Sequence, residues 1–353
     1  MSTREVERGA LLSDREFIRK ILIAAGIGVL GLVLWQLSDV LLLAFGSVLV
    51  AVILRAFAEV LERHAHVPER WSLALASLII LGLLAALVFL FGTQMRAQFV
   101  NISERLPEGV ASLARRLGIE DLSNLAPGNL SLQQGGTLLV RVIGIGGTLA
   151  NALADFFFLV IAGLYIAASP RIYRVGLLKL FPQSQHARIA DSLDASGQAL
   201  KLWLASQLIA MTCIGILATI AFWIIGLPSP LALGIIAGLL DFIPFLGPIL
   251  GAFPAVLIAL SVDVKSALWT AAAMFVIQQI EGNVIFPLVG KKVISVPPAL
   301  ALFAIVAGGV LFGLPGLIFG FPLSVVVFVL VKKLYVRETL GEQTPVPGED
   351  TSS

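Results

Sequence analysis

Residues 228–261 read PSPLALGIIAGLLDFIPFLGPILGAFPAVLIALS. Between Leu231 and Leu260 the only charged side chain is Asp241. A membrane helix needs about 20 apolar residues to cross about 30 Å of hydrocarbon. This run is too long for one crossing and too broken for two. The break is Asp241-Phe242-Ile243-Pro244-Phe245-Leu246-Gly247-Pro248. Proline removes a backbone donor and glycine permits a sharp reversal. The run therefore reads as a re-entrant helical hairpin, with a pair of short, kinked spans as the other reading. Pro297–Val331 has the same character, with Gly308-Gly309-Val310-Leu311-Phe312-Gly313-Leu314-Pro315-Gly316 at its centre.

The composition agrees. The 353 residues are 58% hydrophobic and 13% charged, with a net charge of +2. Soluble domains carry about 25% charged residues. Mean hydropathy is +0.98. The fold class is an all-α polytopic membrane protein with about six transmembrane helices plus two hairpins, or eight spans. Cys213 is the single cysteine, so no internal disulfide forms. His64, His66 and His186 lie outside the apolar runs. No HExxH, Gly-x-Ser-x-Gly or Walker-type motif occurs, so neither an enzyme nor an ATP-driven pump is expected. No cofactor, metal or nucleic-acid signature is present either.

The crossing runs are Ile21–Leu37, Val40–Leu54, Trp71–Gly92, Leu149–Ala168, Leu202–Gly226 and Ser266–Ile280. The first follows a charged segment with no cleavage signal and reads as a retained span. Thr93–Thr148 has a helical rhythm in Phe99, Ile102, Leu106, Val110, Leu113 and Leu117. It is expected to form amphipathic helices outside the membrane, either a passive connector or a lid or oligomer contact. Pro170–Lys201 alternates basic and apolar residues like a helix lying on the membrane surface. With both termini cytoplasmic, 18 of the 24 Lys and Arg fall inside, as the positive-inside rule requires.

These divisions give residues 1–92 as a three-helix scaffold and 93–148 as the extracytoplasmic section. Residues 149–202 form the fourth span and surface helix. Residues 203–334 hold the hairpins 228–261 and 297–331, and 335–353 form a disordered tail. At an offset of 68, Pro230 falls on Pro298, Leu246 on Leu314, Phe253 on Phe321 and Pro254 on Pro322. Each hairpin also follows one crossing helix. That is the layout of an inverted repeat, which places a binding site at the repeat interface.

Carboxylates within hydrocarbon are costly, so they are candidate functional groups. Asp241 is the sharpest, as a ligand or proton site or as an Asx-type cap of its own turn. Gln278 and Glu281, three residues apart, share one helix face, with Asn283 and Pro287 following. Together they could bind a polyhydroxylated solute or simply end a short helix at the interface. Asp155, near the start of a span, is a third ion-coupling candidate, or is simply wet. Arg55 is expected to snorkel to the membrane surface.

In order and spacing, DFIPFLGPILG (241–251), QQIEGNVIFPLVG (278–290), KKVISVP (291–297) and GGVLFGLPGLIFGFP (308–322) resemble the AI-2E family of bacterial autoinducer-2 exporter-like transporters. LYIAASPRIYRVGLLKLFP (164–182) is similar to the family's post-helix loop. The resemblance spans roughly residues 149–334. It implies a secondary transporter of the bacterial cytoplasmic membrane, a homopentamer with one pathway per protomer, in which the hairpins move. Carried over, the pathway positions are Asp241, Pro244, Gly247 and Pro248, then Gln278, Glu281, Asn283 and Pro287, then Gly313 and Gly316. Family members are linked to autoinducer-2 export and to sodium–proton exchange, so export, antiport through Asp241 and Glu281, and a non-transporting scaffold all stand. The partners implied are the lipid bilayer and a small polar solute, or a monovalent cation and protons.

Overall fold

A computed structural model describes residues 3–83, 85–86, 154–289, 296–342 and 344. The expected amphipathic section 93–148, the loop 291–295 and most of the tail lie outside the described residues. Every regular element among the described residues is helical. Among the described residues, five helices are long and apolar enough to cross a membrane, and a bent pair would make a sixth.

Helix α1 (Thr3–Gln36) and α2 (Ser38–Ala65) are parted by Leu37 alone. The N–H of Leu37 still reaches the Val33 carbonyl, and the N–H of Leu41 reaches the Leu37 carbonyl, both at 2.9 Å. Gln36, Ser38 and Asp39 interrupt the apolar pattern but contain no Gly or Pro, so the ladder runs across the expected gap. His66 then closes α2 in the left-handed conformation, and α3 begins at residue 69.

Helix α4 (Ala154–Ala168) meets α5 (Pro170–Leu178) at 87°. Pro170 cannot donate to the ladder, and it forces Ser169 out of helical geometry, to φ −139° and ψ 58°. A helix set across the end of a span is the form expected of the surface segment. The Arg55 Nε donates to the Ala167 carbonyl at the end of α4, at 2.7 Å. The last carbonyls of α4 lack intrahelical donors, and a cation there also complements the helix dipole.

Helix α6 (His186–Ile225) has 40 residues, about 60 Å at 1.5 Å per residue. That is twice the depth of the hydrocarbon. Helices α7 (Pro230–Leu240) and α8 (Gly247–Val262) form the first hairpin. At about 16 and 24 Å, neither spans the slab alone. They run antiparallel, because Gly251 faces Ala237 while Gly247 faces Leu240 and Asp241. Helix α9 (Val264–Ile280) starts at Asp263, whose Oδ1 accepts the Ser266 N–H at 2.6 Å. That backbone bond holds the Asp263 carboxyl below the usual range.

The sixth crossing does not stop at Ile280 as the sequence pattern implied. A π-helical turn, Glu281–Ile285, carries it into α10 (Phe286–Val289). The wider turn absorbs the residues that break the apolar pattern, and Asn283 Nδ2 bonds the Gln279 carbonyl at 2.9 Å.

Helix α11 (Pro298–Leu330) is two helical arms joined at Gly313. Gly313, at φ 64° and ψ −142°, reverses it. Its arms lie backbone to backbone, Gly308 against Gly316 and Ala304 with Ile305 against Gly320. Both broken stretches are thus helical hairpins. Their tips turn at Phe245 (φ 68°) and Gly313, which are 68 positions apart, the offset of the repeat. In both, a proline opens the first arm and another lies inside the second.

Lipid is as apolar as leucine, so these arms are held by close contact rather than by the hydrophobic effect. Gly316→Leu should force the α11 arms apart and destabilise the protein by about 1–3 kcal/mol. Gly176→Ala, where nothing lies within 4 Å of the new methyl group, serves as the control. Thermal unfolding in detergent followed by size-exclusion fluorescence reads both; equal midpoints would refute the tight hairpin.

Candidate functional site

Asp241 ends α7 as its C-cap and is 2% exposed. Its carbonyl accepts a 2.7 Å hydrogen bond from Nε2 of Gln207 on α6. Gln207 is itself buried. The Asp241 Oδ2 atom is buried with no hydrogen-bond partner. The Asx-type cap, in which the turn's N–H groups satisfy the carboxyl, is therefore not how Oδ2 is held.

Glu281, 4% exposed, sits where α9 widens into its π turn. Its Oε2 accepts from Gln278 Nε2 at 2.5 Å, so the shared helix face expected from their spacing is realised. Asp241 and Glu281 lie within electrostatic reach of each other. Gln207 of α6 thus holds the backbone at Asp241, and Gln278 of α9 holds the Glu281 carboxyl. The buried Asp241 Oδ2 is left without a hydrogen-bond partner among the described residues. Burying an unpaired charge is far costlier than burying a hydrogen-bonded one. Such a site needs a proton or a cation when it is closed to water.

Other residues singled out in the sequence fall differently. Gly247 is buried at the same tip, with Pro244 and Pro248 half-buried beside it. Gly316 is buried between the arms of α11, and Gly313 is exposed at their tip. Neither shares a hydrogen bond with the carboxyl cluster. Asn283 is exposed and turned back on Gln279, and Pro287 is exposed. Asp155 is exposed on α4.

Gln207 was not among the candidates. It is the single amide in the apolar run Leu202–Gly226, and that was the available signal. Four residues earlier on the same face, Trp203 is buried. Its ring meets Phe242 at 5.7 Å and Phe321 at 5.4 Å between centroids. Such aromatic contacts add about 0.5–1.5 kcal/mol each beyond their buried area.

Charge pairs tie the polar ends together. Lys201 on α6 meets Glu59 on α2 at 2.5 Å, and the buried Lys333 meets Asp191 at 2.7 Å. Arg174 pairs with Asp194, and Arg188 pairs with Glu338. A cavity of about 610 Å³ beside them is lined by Arg55, Glu59, Glu62, Arg70 and Ser72.

A sequence model of the AI-2E family transporters matches residues 22–336. The chain belongs to the AI-2E family. Within that family it is 32% identical over 195 residues to YrrI of Bacillus subtilis (strain 168), covering 52% of this chain and 55% of YrrI. It is 30% identical over 174 residues to YueF of the same strain, covering 49% of this chain and 43% of YueF. A Thermotoga maritima protein matches at 25% over 250 residues, covering 66% of this chain and 76% of that one. The names of all three propose a transport role. The chain spans about half the length of the first two relatives it matches. As an AI-2E member with stacked apolar helices, it is a multi-pass membrane protein.

Removing the Gln207 donor leaves a buried carbonyl without its partner. Gln207→Leu should lower stability by about 1–3 kcal/mol, read as the unfolding midpoint in detergent. An unchanged midpoint would mean that the hydrogen bond does not hold the tip.

Proposed function

We propose that this AI-2E chain is a secondary transporter of a bacterial cytoplasmic membrane, with both termini on the cytoplasmic side. It exports a small polar solute of the autoinducer-2 type by alternating access. Asp241 and Glu281 are its coupling carboxyls. The hairpins and the helices that precede them form the moving unit, and α1 to α3 form the scaffold. The protomers assemble as a homopentamer.

The observation that carries this reading is the open, buried Oδ2 of Asp241 beside a Glu281 already bonded to Gln278. Binding a proton or cation there removes the electrostatic cost of closing the tip against water. Releasing it makes the wetted conformation the cheaper one. Occupancy and conformation are then linked, as secondary transport requires. The hairpin form also supports it, since broken helices bring backbone dipoles to mid-membrane solute sites.

The same carboxyl pair favours a second reading, sodium (or lithium)/proton antiport. Two buried carboxyls within electrostatic reach could together hold a monovalent cation in exchange for protons. A membrane scaffold that moves nothing is the third reading, and it leaves the buried pair without a task.

Purified protein in liposomes with a trapped pH dye separates them. Proton movement driven by sodium, and reduced at least tenfold in Asp241→Asn, identifies the antiporter. Movement of labelled autoinducer-2 without an ion gradient identifies the exporter. Unchanged flux in both Asp241→Asn and Glu281→Gln would remove the pair from the mechanism. Absence of both fluxes in the parent protein would favour the scaffold.

A further inference from the structure

The hairpins have separate tips and no shared hydrogen bond at the carboxyl cluster, yet one side chain touches both. Trp203 is 4% exposed on α6. Its ring meets Phe242 edge-on, at 66°. Phe242 is the residue next to Asp241, within the first tip. The same indole meets Phe321 at a tilt of 46°. Phe321 stands on the second arm of α11, eight residues beyond the Gly313 reversal. Leu49 of α2 and Leu200 and Leu204 of α6 complete the packing around the ring.

Gln207 lies one helical turn along from Trp203, so the two share a face of α6. The first tip is thus fastened to that face twice, through the Asp241 carbonyl and through the Phe242 ring. A change at Asp241 moves Phe242 with it, because the two are adjacent in the chain. Packed interiors respond to such shifts by switching between discrete arrangements rather than by deforming smoothly.

We propose that Trp203 is a positioning residue that transmits the state of the first hairpin tip to the second hairpin, through Phe242 on one side and Phe321 on the other. This rests on the reading of Asp241 as the coupling carboxyl. Trp203 binds neither solute nor ion; it makes the two halves of the repeat move together.

The test uses amide hydrogen exchange of the full-length protein in detergent micelles, followed by mass spectrometry over residues 308–320. Asp241→Asn is introduced into three backgrounds: Trp203, Trp203→Phe and Trp203→Leu. Asp241→Asn is expected to change exchange in the second hairpin by about threefold or more with Trp203. The change should persist with Trp203→Phe, which keeps an aromatic ring, and vanish with Trp203→Leu. Unaltered exchange in residues 186–200 confirms that each variant is folded.

An equal change in all three backgrounds would overturn the relay, because the second hairpin would then sense the tip by another route. No change in any background would overturn it too, because nothing would be transmitted. Either failure leaves the coupling role of Asp241 standing or falling on the flux assay alone.

Discussion

A peptide chain that turns around inside hydrocarbon must satisfy its turn without water. In this protein that constraint is met at the Asp241 carbonyl by the Gln207 side chain. Most of the rest depends on it. Helix α7 can end after 11 residues because its last carbonyls have partners. The tip can then hold an acidic residue in the interior, and α9 can bring Glu281 up to it. Without the amide on α6, the same turn would expose unpaired backbone at a depth where each orphan group costs several kcal/mol.

The second hairpin answers the same constraint differently. Gly313 takes a backbone geometry that side-chain-bearing residues avoid, and the reversal occupies one residue. The arms then approach until backbone meets backbone at Gly308 and Gly316. No charged group sits at that turn. The two halves of the repeat share their punctuation, prolines and a positive-φ tip residue 68 positions apart, but not their chemistry. A polar first tip and an apolar second one suit a division between binding and gating. Trp203, which meets the first tip at Phe242 and the second arm of α11 at Phe321, is a physical link between the two hairpins.

Long-range charge pairs do comparable work at the polar ends. Arg55 closes the end of α4, and Lys201 with Glu59 joins α6 to α2. Lys333, buried on the segment after α11, reaches Asp191 at the base of α6. These contacts fasten α6 to α2 and to the segment after α11, while the interior is packed from buried aliphatic and aromatic side chains such as Phe222, Leu233, Ile305 and Trp203.

The sequence by itself determined the all-helical membrane class and the two broken stretches that fold as helical hairpins. Apolar length and charge scarcity depend only on composition along the chain, and Pro and Gly act on their own backbone. Asp241 and the Gln278–Glu281 pair were legible for the same local reason. Thr93–Thr148 remained an expectation. Tertiary structure alone decided what meets what: that Gln207 reaches the Asp241 carbonyl, that Oδ2 is left open, that Arg55 caps the end of α4. It also decided that Asn283 turns back on Gln279 and that Asn283, Pro287 and Asp155 are exposed. The reason is geometric. Partners 34, 112 or 142 residues apart are brought together by helix packing, which no local pattern encodes.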